Sequence, residues 1–415
     1  MRSNLKLGTI LSAALLAGCL GGKSSSIGGV TPPPPVVNTM TVTVDSGPAA
    51  APGQINHAYV SVKVCAPGNG SKCVTVDHVL LDTGSWGLRL VGSVLAAGSV
   101  SLSAETDAQG QAIEECQGFG GGETWGPVAL ADVTMAGETA ANVPVQILDD
   151  TNASASPPTT CVTGTLLNDV TGFGANGLLG IGVFAQDCGA ACVNPATPLP
   201  VYYGCTAAGV CTAENVALAQ QVTNPVTLFA ADNNGIIVNL PNLTNANGDT
   251  SVQGELIFGI STQSDNALPA TGITVLGTDG SGDFTATYNG ATTVLPAIID
   301  SGTDSYRFAD STIAICSGAF IGGYYCPTVH PMNVFAVNSG VGANNNTNTV
   351  NFAIANPDIT FTAALTAGAS AFTDLAGGPG STNFVWGMPF FYGRKIYIGI
   401  DQQVAGAYTG PYYAY

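Results

Sequence analysis

Hydrolysis by carboxylates needs two acidic side chains close enough to share a proton, and two short stretches of this chain could supply them. Val79-Leu80-Leu81-Asp82-Thr83-Gly84-Ser85 and Ala297-Ile298-Ile299-Asp300-Ser301-Gly302-Thr303 repeat one order: apolar residues, aspartate, a hydroxyl, glycine, a second hydroxyl. An apolar run reads as a buried strand, so each aspartate stands where core meets cleft. The glycine after it permits a turn tight enough for two such loops to approach each other. Like charges held close together do not both ionise easily. One member can then act as base toward a water while its partner donates to a carbonyl oxygen. Asp82 and Asp300 are the candidate pair, titrating together as a dyad.

Other chemistries find less material. Gly120-Gly121-Gly122 lacks the Gly-Lys-Ser/Thr of a phosphate loop, no Gly-x-Ser-x-Gly elbow is evident, and the three histidines His57, His78 and His330 form no His-Glu-x-x-His. A net charge of −18 removes nucleic acid as a partner, because phosphate binding needs Lys and Arg that are scarce here. No cofactor is expected. A third Asp-Ser-Gly, Asp45-Ser46-Gly47, follows an alternating Thr/Val run and precedes Pro48. It lacks the apolar lead-in, the second hydroxyl and a later partner.

The aspartate loops need elements to brace them. An apolar run ending in glycine follows each at a comparable distance, Leu178-Leu179-Gly180 and Val385-Trp386-Gly387, so the chain reads as a diverged duplication. With 54 glycines, 9% charged residues, 46% hydrophobic residues and little sustained helical period, the elements are expected to be strands joined by tight turns.

This pattern resembles the pepsin-like aspartic peptidases, whose two lobes each donate an Asp-Thr/Ser-Gly loop braced by a hydrophobic-hydrophobic-Gly segment. The resemblance runs from Thr41 to the C-terminus. Further landmarks fall in the expected order: Gly254-Glu255-Leu256-Ile257-Phe258-Gly259, Gly387-Met388-Pro389-Phe390-Phe391 and Ile398-Gly399-Ile400-Asp401. It implies an all-β, bilobal fold with a central cleft, the lobes being residues 41–262 and 263–415. It also implies that the Thr83 and Ser301 hydroxyls lock the loops together while Ser85 and Thr303 donate to the carboxylates. The Cys-rich stretch after Gly182, with Asn224-Pro225-Val226, further resembles a bacterial lipoprotein family of unknown function, placed as a distant branch of the fold.

Aligned on the family's flap, the hairpin Cys116 to Val128 puts Phe119 where tyrosine is usual. Arg89 takes the place of the tryptophan that normally meets this tyrosine, and Arg307 holds the same offset after Asp300. Arg89 is expected at the cleft wall, stacked on Phe119 or Trp125, where its charge would lower the dyad's pKa and favour an acidic group on the ligand. The competing expectation is that each arginine pairs with a structural acid of its own lobe, such as Asp304 or Asp310.

Residues 1–18 read as a signal segment: Arg2 and Lys6 precede an apolar run too short to span a bilayer, and Leu16-Ala17-Gly18-Cys19 resembles a bacterial lipobox. Cys19 would then be acylated, and Leu20 after it implies sorting to the outer membrane. Residues 19–40 read as a Gly/Ser/Pro tether. Without Cys19 the cysteines are even in number. Cys65 and Cys73, Cys188 and Cys192, Cys205 and Cys211, and Cys316 and Cys326 lie close in sequence, with Cys116 and Cys161 left over. Disulfides are expected outside the cytoplasm, although spacing alone does not fix their connectivity, and no metal is expected. Three functions stay open: an envelope-anchored aspartic endopeptidase, a non-catalytic peptide- or inhibitor-binding lipoprotein of the same fold, and a structural envelope protein. The expected partners are a peptide or protein in the cleft and a membrane through the anchor, with the protein itself a monomer.

Overall fold

The computed structural model describes residues 37–152, 154–245, 247–318 and 323–415. The signal segment, Cys19 and the tether as far as residue 36 lie outside them. The first described strand, Thr39–Val44, opens within the stretch assigned to the tether. Among the described residues no helix is longer than the six-residue Gly92–Ala97, and none is long and apolar enough to cross a membrane.

Strands carry the architecture, in one 15-stranded and one 7-stranded sheet with a separate two-stranded ribbon. Both larger sheets contain the same local knot. In the first half, Cys73–Asp82 runs parallel to Gly177–Ile181, with Leu81 opposite Leu179 and Asp82 opposite Gly180. Trp86–Val91, on the far side of the aspartate loop, returns antiparallel to Gly177–Ile181. In the second half, Leu295–Ile299 runs parallel to Phe384–Trp386, and Tyr306–Arg307 lies antiparallel to it. The duplication expected from the sequence is therefore an all-β repeat of strand, aspartate loop, returning strand and bracing strand.

Burial explains why the bracing strands read as continuous apolar runs. Leu178, Leu179 and Ile181 are all buried, because both faces of that strand are covered, whereas in the second half Phe384 and Trp386 are buried and Val385 between them is half-buried. Trp386 packs against Phe384, Phe390, Tyr306 and Phe352, and its indole N–H donates to Asn338 Oδ1 at 3.0 Å. The glycine ending each brace has a steric cause. A Cβ on Gly180 would lie 2.7 Å from the Trp86 backbone, and one on Gly387 would lie 2.1 Å from Ser305 O. Each aspartate loop rests on a surface that only glycine provides.

The halves are joined by backbone. Arg394–Gly399 pairs with Gly235–Leu240, which pairs with Val252–Phe258, which in turn pairs with Thr39–Val44. Buried Asn56 adds a polar stitch, donating to Asp304 O at 2.8 Å and Phe372 O at 3.0 Å while accepting from Phe372 N at 2.8 Å. Five disulfides close local loops: Cys65–Cys73, Cys116–Cys161, Cys188–Cys192, Cys205–Cys211 and Cys316–Cys326. They engage all ten cysteines of the described residues.

Gly387→Ala is expected to destabilise the fold by about 1–3 kcal/mol or more, since the added methyl meets backbone rather than a movable side chain. Gly380→Ala, where a Cβ meets nothing within 4 Å, is expected to leave the urea midpoint nearly unchanged.

Candidate active site

The two aspartate loops exchange hydrogen bonds reciprocally. Thr83 Oγ1 donates to Ile299 O at 2.9 Å, and Ser301 Oγ donates to Leu81 O at 2.6 Å. Each hydroxyl also accepts from the opposite backbone, Ser301 N to Thr83 Oγ1 at 3.0 Å and Thr83 N to Ser301 Oγ at 3.2 Å. Thr83 and Ser301 are almost wholly buried, so these bonds have no water to compete with them.

The exchange sets the carboxyls against each other. Within its own loop, Asp82 accepts from Gly84 N at 2.8 Å on Oδ1 and from Ser85 Oγ at 2.5 Å on Oδ2. Asp300 repeats this with Gly302 N at 2.8 Å and Thr303 Oγ1 at 2.5 Å. The loop glycines face the opposite aspartate: a Cβ on Gly84 would stand 2.5 Å from Asp300 Cγ, and one on Gly302 would stand 2.7 Å from Asp82 Oδ1. Any side chain at either position would push the carboxyls apart. Burial, then the charge of Asp300 and a hydrogen bond with it, hold the Asp82 carboxyl well above the ordinary aspartate range, against the lowering effect of Ser85 and Gly84. This is the behaviour of a pair that shares a proton.

Above the pair lies a cavity of about 300 Å³, lined by both aspartates, Ser85, Trp86, Asp187 and the flap residues Gln117 to Gly120. The flap is the hairpin of Ala112–Phe119 and Gly122–Met135, and Phe119 at its tip pairs with Gly122. A second cavity of about 740 Å³ shares Trp86 and Asp187 with the first and continues past Cys188 and Gly189 to Gly280, Gln402 and Gln403. The Cys-rich stretch therefore forms one wall of the space leading away from the dyad. Asn224 supports that wall, its side chain accepting from Val226 N at 3.1 Å and donating to Gly182 O at 3.4 Å.

The arginines occupy equivalent positions, Arg89 opposite Leu178 and Arg307 opposite Val385. Arg89 does stack on Phe119, its guanidinium carbon 5.5 Å from the ring centroid. The expected electrostatic role is corrected. Arg89 is fully buried and bonds Glu115 at 2.5 Å, Asp187 at 3.1 Å and Trp86 O at 2.8 Å. Its charge is taken up by two acids and is not what shifts Asp82, which moves upward rather than down. Both arginines follow the competing expectation: Arg89 pairs with two acids of its own half, and Arg307 pairs with Asp304 at 3.2 Å and lies 5.2 Å from the Tyr324 ring centroid. Asp310 instead caps Thr312, accepting from its backbone N–H at 2.9 Å.

Trp125 is also corrected. Its ring packs on Tyr203 among Cys116, Cys161 and Cys205, and its indole N–H donates to Ala155 O at 2.6 Å. It pairs directly with Cys116, so it points to the face opposite Glu115 and Phe119.

Glu115 and Asp187 were not foreseen. Burial pushes Glu115 well above the ordinary range; the Arg89 charge opposes this, while the charge of Asp187 and a hydrogen bond with it raise it further. Asp187 also accepts from Tyr202 Oη at 2.6 Å. The available signal was the pair Glu114-Glu115 inside a strand otherwise fit for burial.

The chain belongs to a family described as "Protein of unknown function (DUF3443)", whose match spans residues 34–415. No curated protein matches it. Among solved structures, an aspartic proteinase from Irpex lacteus aligns over 90% of this chain and 96% of its own, with 14% identity and a TM-score of 0.45.

Arg89→Gln leaves two buried acids without their cation, and is expected to cost about 3–5 kcal/mol in denaturant unfolding. Arg307→Gln, at a partly exposed pair, is expected to cost less than about 1 kcal/mol.

Proposed function

For this family member we propose an aspartic endopeptidase held at the cell envelope. The observation that carries the reading is the mutual hydroxyl-to-carbonyl exchange that places Asp82 and Asp300 face to face on the floor of one cavity. A water between the carboxyls would lose a proton to the ionised member as its oxygen attacks the scissile carbonyl carbon. The protonated member would give its proton to the carbonyl oxygen. Collapse of the resulting diol breaks the C–N bond as the protonated aspartate gives its proton to the nitrogen and a diol hydroxyl passes its proton to the other aspartate, so the dyad again carries one. The two cavities share Trp86 and Asp187, so an extended peptide lying across both would pass the dyad.

Anchoring through acylated Cys19 belongs to the same proposal and rests on the Leu16 to Cys19 motif. The five disulfides are in keeping with an oxidising compartment outside the cytoplasm. An outer-membrane location follows from Leu20, in a monomer facing either the periplasm or the exterior.

One observation favours a peptide-binding protein without catalysis. The flap carries Phe119 over a fully neutralised Arg89, so the tyrosine hydroxyl usual in the resembled family has no equivalent at that position.

A peptide-library digest by the detergent-purified full chain across acidic to neutral pH separates the two readings. Cleavage is expected in wild type, blocked by pepstatin, and reduced at least about a hundredfold in Asp82→Asn and in Asp300→Asn. Saturable peptide binding with no cleavage at any pH would establish the non-catalytic reading instead.

A further inference from the structure

Glu114 and Glu115 are neighbours on one flap strand and point to opposite sides of it. Glu115 turns toward Arg89. Glu114 turns away, into a separate cavity of about 680 Å³ between the Gly92–Ala97 helix, the segment that follows it and the base of the flap hairpin. The walls are largely apolar, with Leu95, Val100, Leu102, Ile147 and Leu148 among them, and no Lys or Arg lines the space. Glu114 is only 2% exposed, and its Oε2 has no hydrogen-bond partner among the described residues. Asp149 stands in the same wall and accepts from Ser154 N and Ser154 Oγ at 2.8 Å each.

A buried carboxyl with an unused oxygen carries a desolvation cost that a donor would relieve. Burial, followed by the charge of Asp149, pushes Glu114 up to about 8, against the lowering effect of a hydrogen bond with the Ser154 side chain. The cavity is within the size range of small-molecule sites, which combine apolar walls with a few placed polar groups. We propose that this cavity binds an amphiphilic primary ammonium, whose hydrocarbon body lies on the apolar wall and whose head donates to Glu114 Oε2. A carboxylate head would meet two acids and no cation. The site is independent of Asp82 and Asp300, so the proposal does not rest on peptidase activity.

Titration calorimetry with hexylammonium, hexanol and hexanoate tests it on the intact protein. Hexylammonium is expected to bind saturably and hexanoate not at all. Glu114→Gln should weaken hexylammonium about tenfold or more, the worth of a charge-assisted hydrogen bond. Ala96→Phe, which fills the mouth and leaves Glu114 in place, should also abolish binding, whereas Asp82→Asn should not change it. Equal affinity for hexanol and hexylammonium, unchanged affinity in Glu114→Gln, or no saturable binding by any of the three would overturn the proposal.

Discussion

Two buried hydroxyls, each bonded to a backbone carbonyl in the other half of the molecule, are the constraint on which the rest depends. Thr83 reaches Ile299 O and Ser301 reaches Leu81 O, residues more than two hundred positions away in sequence. Neither bond can be satisfied unless both aspartate loops lie flat against their bracing strands. That requires Gly180 and Gly387, because the loop backbone occupies the volume of a side chain there. The inter-half strand pairing and the Asn56 stitch then hold the halves in the register at which the loops meet. Packing, glycine placement and the hydroxyl exchange converge on one outcome, the close approach of two carboxyls.

The electrostatics follow from that approach in a protein with few cations. Arg89, one of the few positive charges in the chain, is spent in the interior on Glu115 and Asp187 rather than offered to a ligand. Beneath the flap tip, its guanidinium gives Phe119 a flat charged surface to rest on. Arg89 and Phe119 thus form one contact at the flap. It positions the flap through stacking and ion pairing and leaves no hydroxyl at the tip.

The dyad, its hydroxyls and its bracing glycines were legible because each belongs to a short local pattern and the pattern occurs twice. Duplication converts a weak tripeptide into a spatial statement. The partners of Arg89 were not legible, because Glu115 and Asp187 come from separate segments and no local pattern links them to residue 89. Trp125 was misplaced for a reason the sequence did contain. In an antiparallel hairpin directly opposed residues share a face, so pairing with Cys116 sends the indole away from Phe119. Composition pointed to strands and cysteine spacing was compatible with the pairings found, but neither could say which acids would be buried.

Infrared titration of the carboxyl stretch tests the central claim most directly, comparing wild type with Asp82→Asn and Asp300→Asn between acidic and neutral pH. If the carboxyls face each other, wild type retains a protonated aspartate well above the ordinary range, seen as a component beyond those of the raised Glu114 and Glu115. That component should be lost in Asp82→Asn and should titrate lower in Asp300→Asn, where burial remains but the like charge and the hydrogen bond of Asp300 are gone. Two carboxylates that titrate independently near ordinary values, each unaffected by replacement of the other, would contradict the account.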